Sequence, residues 1–252
     1  MTRKPYSTDL TDEQWALLVL ILPPAATRGR KRRVELREVV NAILYLLHTG
    51  CAWRLLPHDF PAWQTVYRYF ARWRDTLLFE QINDVLRCAV RAADGRHDEP
   101  SAAIIDSQSV KTTEQGGERG FDASKLVQGR KRHIAVDVLG LLLYVLVHSA
   151  DVQDRDGAKY LLAKLKTQCP RLELIWADGG YAGQLVTWVK EQCQWVLEIV
   201  KRPAASVGFQ VLPKRWIVER TLAWLTRHRR LSKDYEALPR TSEAFCYRLT
   251  HK

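Results

Sequence analysis

"SAAIIDSQSV", residues 101–110, decides the fold. A short apolar run, Ala102 to Ile105, ends in Asp106 and passes into small polar residues. A run of this kind reads as a buried strand. Asp106 then either caps the next turn or is a carboxylate held out for chemistry, and the stretch alone leaves both readings open. Further along, "LELIWADGGYAG" (172–183) repeats the setting: an apolar strand ends in Asp178, and a glycine turn follows. If the two strands are parallel neighbours, both carboxylates emerge at one rim of the sheet, where ligands of such sheets bind. Two such charges repel unless a cation lies between them. Hard carboxylate oxygens suit Mg²⁺.

The surrounding segments supply the rest of the sheet. "GRKRHIAVDVLGLLLYVLVHSA" (129–150) reads as two strands joined by a tight turn at 137–140. "DRDGAKYLLAKLKTQC" (154–169) and "QLVTWVKEQC" (184–193) read as helices, "WVLEIVKRP" (195–203) as a strand, and "RWIVERTLAWLTRHRR" (215–230) as a long basic helix. The order strand, hairpin, helix, strand, helix, strand, helix predicts an α/β fold with a mixed sheet flanked by helices.

Upstream the pattern is helical. "TDEQWALLVLIL" (11–22) opens a helix with Thr11 and Gln14 as a capping box, and Pro23 and Pro24 close it. "VELREVVNAILYLLHTG" (34–50) is a second helix, stopped by Gly50. Residues 62–93 resume helical periodicity, with Val66, Tyr69, Phe70 and Trp73 inward and Gln64, Arg68, Arg72 and Arg74 outward. A helix, a turn and a helix exposing Gln and Arg matches a helix-turn-helix reader of DNA, against the plainer alternative of an ordinary helical domain. Between the first two helices "TRGRKRR" (27–33) gathers five cations at 28–33, among them Arg30, Lys31, Arg32 and Arg33. It is either a solvated loop or an arm that contacts phosphates. The polar "DGRHDEP" (94–100) is a linker, which divides the chain into residues 1–96 and 97–252.

The chain has 252 residues, 39 Lys and Arg against 28 Asp and Glu, and a formal net charge of +11. The excess is +3 in residues 1–99 and +8 in the remainder. Such a field favours a polyanion, with nucleic acid foremost, over a basic protein without that role. Five scattered Cys without a C-x-x-C pair argue against zinc and against a disulfide framework, and fit a reducing cytoplasm. No signal segment and no 18-residue apolar run is present, so a soluble protein with no membrane role is expected. Phosphate-binding glycine loops, H-E-x-x-H and G-x-S-x-G are absent.

A two-metal site needs a third carboxylate. The downstream choices are Glu191, Glu198, Glu219, Glu236 and Glu243. Glu219 stands out among Lys214, Arg215, Arg220, Arg227, Arg229 and Arg230, yet a plain i,i+4 ion pair with Arg215 explains it equally well by spacing. Asp137 fits a hairpin turn, and Asp154 or Asp156 fits a helix start. His133 and His148 read as ordinary strand residues, and His133 beside Arg130, Lys131 and Arg132 forms a cluster able to line a DNA channel.

Taken together, "LTDEQWALLVLILPP", "NAILYLLHTGCAWRLLPHDFPAWQTVYRYFARW", "IIDSQSVKT", "GRKRHIAVDVLGLLL", "WADGGYAG" and "LPKRWIVERTLAWLTRHRRLSKDYE" resemble bacterial insertion-sequence transposases of the DDE type. The family is the one named after insertion sequence five, within the insertion-sequence four/five superfamily. The resemblance covers nearly the whole chain. It implies a ribonuclease-H-like core whose triad here is Asp106, Asp178 and Glu219, 72 and 41 residues apart. It further implies two Mg²⁺ ions, with Mn²⁺ able to substitute, and cleavage and strand transfer of DNA at terminal inverted repeats and target sites. Arg215, Arg220 and Arg227 would grip phosphates, and the N-terminal helices with the 28–33 arm would recognise the element's ends. A homodimer on DNA and a place in the bacterial cytoplasm, at the nucleoid, follow from the same resemblance. Relatives carry Tyr and Lys around the glutamate where this chain has Leu212 and Thr226, with Arg227 beside the latter. Relatives also continue past "TSEAF" as a longer apolar helix, so a shortened, impaired copy is an expectation. The competing functions are a nuclease of the same fold that cuts without joining, and an inactive or domesticated DNA-binding protein.

Overall fold

A computed structural model describes residues 3–24, 27, 31–114, 117–201 and 212–247. The chain forms α1 (Asp12–Leu18), α2 (Leu36–Thr49), α3 (Trp63–Asp75) and α4 (Leu78–Ala93), then β1 (Ala102–Lys111), β2 (Gly120–Asp122), β3 (Val127–Val136) and β4 (Leu142–Ser149). After these come α5 (Asp154–Gln168), β5 (Leu174–Ala177), α6 (Gln184–Trp188), β6 (Val196–Ile199), α7 (Arg215–Thr226) and α8 (Pro239–Cys246).

The sheet is mixed and has β1 at its centre. β1 pairs antiparallel with β3 on one side and parallel with β5 on the other. β4 continues from β3 antiparallel, β6 continues from β5 parallel, and the short β2 pairs with the first residues of β3. This order, β4-β3-β1-β5-β6 with α5 crossing between β4 and β5, is the ribonuclease-H-like arrangement.

Alternation along the strands sorts side chains onto two faces. Ile104, Ile134 and Val136 face α2–α4, α7 and α8, in a cluster that also holds Val39, Phe70, Ile82, Val218 and Phe245. Ala103, Ile105, Ala135 and Ile175 face α5 and α6, against Leu161, Leu165 and Leu185. The first cluster runs without a break from Leu10 to Tyr247, so the helical region 1–96 and the sheet region 97–252 share one core. The change at residue 97 is a change of element type, and packing crosses it. Asp137, fully buried in the β3–β4 turn, pairs with Arg91 of α4 at 2.5 Å and accepts the backbone N–H groups of Leu139 and Leu141. Gly140, at φ 84, closes that turn.

Several local expectations are met with physical detail. Thr11 and Gln14 form the reciprocal cap of α1. Gly50 ends α2 in the left-handed conformation, and Val66, Phe70 and Trp73 are buried on α3. Others change. α1 stops at Leu18, ahead of the two prolines. The helix expected over 62–93 breaks at Thr76 and Leu77, with Leu77 at φ 57. Consequently the tight turn lies between α3 and α4. Residues 50–62, which include a single turn at Trp53–Leu55, separate α2 from α3 and make that connection longer than the three or four residues of a compact helix-turn-helix. Arg74 does not face outward: it pairs with Asp75 and donates to Thr241 of α8.

Candidate active site

Register brings the two aspartates together. Ile104 of β1 pairs with Trp176 of β5 in a parallel ladder. Asp106 and Asp178 each lie two residues further on, hence at the same level and on the same face. β5 ends at Ala177, whereas β1 continues to Lys111. Asp106 therefore projects from mid-strand at the point where its parallel neighbour has stopped, and Asp178 sits at the start of the glycine turn.

The Asp178 carboxylate does cap that turn: Oδ1 accepts the N–H of Gly180 at 2.8 Å. Asp106 Oδ1 accepts the N–H of Ser107 at 2.7 Å. Among the described residues, neither aspartate commits its Oδ2 to a hydrogen bond. Burial pushes the Asp106 carboxyl up to about 6, and the nearby Asp178 charge pushes the same way. The Ser107 N–H, Arg215 and Lys125 oppose the shift without cancelling it. The environment of Asp106 is short of positive charge.

The third wall is α7. Ile217, Val218, Thr221, Leu222 and Leu225 bury its inner face against the sheet, which leaves Arg215 and Glu219 toward the aspartates. Arg215 Nη2 lies 3.1 Å from Glu219 Oε1 and 3.7 Å from Asp178 Oδ2. The i,i+4 ion pair is thus present, and the same guanidinium also joins the helix to Asp178. Among the described residues, no three Asp, Glu, His or Cys side chains stand close enough to share a metal ion as placed. Arg215 stands between Asp178 and Glu219 as a cation shared by the two carboxylates. The donor chemistry fits a divalent ion: all candidates are carboxylates, and both aspartates have an oxygen to give.

The other residues expected at the site divide sharply. Arg227 is exposed at the end of α7. Arg220 is turned away, donating to Leu139 O at 2.7 Å while its guanidinium lies over Trp216 and Trp224. It clamps the β3–β4 turn and does not face the acids. Arg130 and Arg132 are both 0% exposed. Arg130 donates to Glu118 O, Glu236 O and Ala237 O and lies 3.3 Å from Asp234. Arg132 donates to Leu231 O and Lys233 O. Lys131 is buried on the opposite face, against Asp154 and Asp122. None of the three lines a DNA channel, because each is consumed by internal oxygen partners. At the N-terminal end Lys31, Arg32 and Arg33 are exposed, as are Gln64, Arg68 and Arg72 along α3, while Arg30 lies outside the described residues. Lys31 and Arg33 border an open groove of about 1080 Å³ between α2 and the start of α3.

Lys125 escaped the reading of the sequence. Its Nζ donates to Ser107 O at 3.1 Å, one residue from Asp106. No local pattern marks it, since the β2–β3 turn that carries it has no strand-length signal.

A family model described as "Transposase DDE domain" matches residues 97–250, and one described as "Putative transposase of IS4/5 family" matches residues 10–83. A curated protein of Burkholderia cepacia, "Insertion element IS402 uncharacterized 16.2 kDa protein", is 30% identical over 117 residues, which is 44% of this chain and 78% of that protein.

Proposed function

Because the chain belongs to the DDE transposases of insertion elements, in the IS4/5 family, we propose that it cuts DNA at the ends of such an element and joins the freed strand to a target. In this reading Asp106, Asp178 and Glu219 together hold two divalent ions, Mg²⁺ with Mn²⁺ able to substitute. The observation that carries the reading is the parallel register that levels Asp106 with Asp178 beneath a helix bearing Glu219. Such ions, when bound, would supply activation of the attacking hydroxyl and stabilisation of the leaving oxygen in an in-line phosphoryl transfer.

The chain's own residues do the positioning. Asp106, half-buried and deficient in counter-charge, would hold the ions together with Asp178 and Glu219. Arg215, beside Asp178 and Glu219, would hold a phosphate next to the scissile bond. Arg227 lies eight residues beyond Glu219, about 12 Å along the helix, and holds the strand further out. Gln64, Arg68 and Arg72 repeat every four residues along the exposed face of α3, and that exposure supports their reading or gripping the element's end. Lys31, Arg32 and Arg33 add phosphate contacts. A homodimer that pairs two ends, acting at the bacterial nucleoid, completes the proposal. No helix among the described residues is long and apolar enough to cross a membrane.

The test is Asp106→Asn assayed on DNA carrying the element's ends with Mg²⁺. The expected result is loss of strand cleavage with DNA binding retained. Full nicking by the variant contradicts the assignment. Nicking by the unaltered chain without joined product identifies a nuclease; specific binding without any nicking identifies an inactive DNA-binding protein.

A further inference from the structure

Behind Asp106, on the face of the sheet turned to α5, lies a partly buried polar cluster that the proposed chemistry does not use. Asp154, the first residue of α5, is its centre. Its Oδ1 accepts the hydroxyl of Ser107 at 2.9 Å, pairs with Lys131 Nζ at 3.0 Å and lies 3.5 Å from His133 Nε2. Lys131 and His133 sit two apart on β3, so both reach through the same face; Lys131 also donates to Val152 O at 2.8 Å. The His148 ring stands edge-on to His133 at 4.9 Å. Gly157 makes room for both rings, since a Cβ there would lie 2.5 Å from His148 and 2.6 Å from His133. Tyr181 enters the same cluster, 1% exposed, with its ring 6.0 Å from His133.

Two of these residues are tethered to the acids. Ser107 follows Asp106, and its N–H is the donor that orients the Asp106 carboxylate. Tyr181 is three residues after Asp178 and anchors the turn that carries it. Each acid-bearing segment therefore sends a neighbour through the sheet into one cluster. We propose that Asp154 is a positioning residue: by holding Ser107 against Lys131, beside Tyr181, it fixes the separation of Asp106 and Asp178 and so the affinity of the divalent-ion site. The inference rests on the reading of those acids as ion ligands. Supporting groups of this kind typically change metal affinity by about 10–100-fold when removed, because ligands left loose must be ordered on binding.

The experiment is a Mn²⁺ titration of the full chain, followed by electron paramagnetic resonance well below the unfolding temperature. The variants are Ser107→Ala, Ser107→Thr, Asp154→Asn and Ser107→Ala with Asp154→Asn together. Ser109→Ala serves as the control, because Ser109 makes a similar bond to Asp122 at 2.5 Å two residues further along β1. Ser107→Ala and Asp154→Asn are expected to weaken Mn²⁺ binding at least about 10-fold. The double variant should be no weaker than the worse single one, and Ser107→Thr, which keeps the hydroxyl, should bind as the unaltered chain does. Unchanged affinity in Ser107→Ala overturns the inference. An equal loss in Ser109→Ala also overturns it, by showing that any loosening of β1 suffices. Failure of the unaltered chain to bind Mn²⁺ removes the divalent-site reading itself, and this inference with it.

Discussion

Two charged segments lie on neighbouring strands and meet opposite fates. On β3, Arg130 and Arg132 are wholly buried; internal oxygens take every guanidinium nitrogen of Arg130 and both terminal nitrogens of Arg132. On β1, Asp106 is also largely desolvated, yet among the described residues only one of its oxygens has a donor. Both face the same side of the sheet, since Asp106 pairs with Ile134 in register and alternation places 130, 132 and 134 together. The cations are scaffold because their partners are present. The carboxylate is a candidate for chemistry because its partner is not. Density of charge in the sequence does not separate these cases; the supply of internal partners does.

The contrast can be broken first on the cationic side, where the effect is largest. Arg130→Ala leaves Asp234 and three carbonyl oxygens without their donor, which should cost about 3–5 kcal/mol in urea denaturation. Arg130→Lys keeps the charge but loses the planar fork, and should also destabilise. Normal stability with weakened DNA binding in Arg130→Ala would return this residue to a DNA-contacting role.

A smaller effect of opposite sign is expected at Asp106. Its folded pKa is raised from 3.8 to about 6, so its contribution to stability is fully present below about pH 4 and is lost as pH rises through 6. At neutral pH, with chelator present, Asp106→Asn should therefore stabilise the chain, by at most about 3 kcal/mol. The gain should vanish toward pH 4. Unfolding followed against pH checks both sign and window; a variant less stable than the parent at neutral pH means that Asp106 has a partner after all.

The smallest effect belongs to the exposed arm. Replacing Lys31, Arg32 and Arg33 with Ala should shift stability by no more than about 0.5 kcal/mol, because none is buried. The slope of DNA affinity against salt should fall by about 0.9 for each phosphate that these side chains no longer neutralise. An unchanged slope would make this arm a solvated loop.

The mixed sheet and the succession of its main strands along the chain were legible in the sequence, because apolar runs of strand length alternate with helical periodicity and glycine turns mark their ends; the short β2 and the order of strands within the sheet were not. The break at Thr76 and Leu77 was not, since neither residue is a helix breaker and the apolar stripe runs straight across it. Asp106 and Asp178 were legible as a pair only on the supposition of parallel neighbours, which register fulfils. Glu219 was not separable from its ion pair with Arg215 by spacing, and in the structure the pair coexists with the reach to Asp178. The run Arg130-Lys131-Arg132-His133 misled because a strand's alternation sends its members to two buried faces, and the oxygens that absorb Arg130 and Arg132 come from around residue 118 and from residues 231–237, remote in sequence. The Asp154 cluster was visible only as a helix start.

The central claim is that three carboxylates act as one site. The most direct test is a Mn²⁺ binding isotherm for the unaltered chain beside Asp106→Asn, Asp178→Asn and Glu219→Gln, each checked for folding. The prediction is that every single replacement weakens binding and that Asp106→Asn weakens it most. Binding that survives in all three variants, or loss confined to one aspartate while Glu219→Gln binds as before, would contradict it.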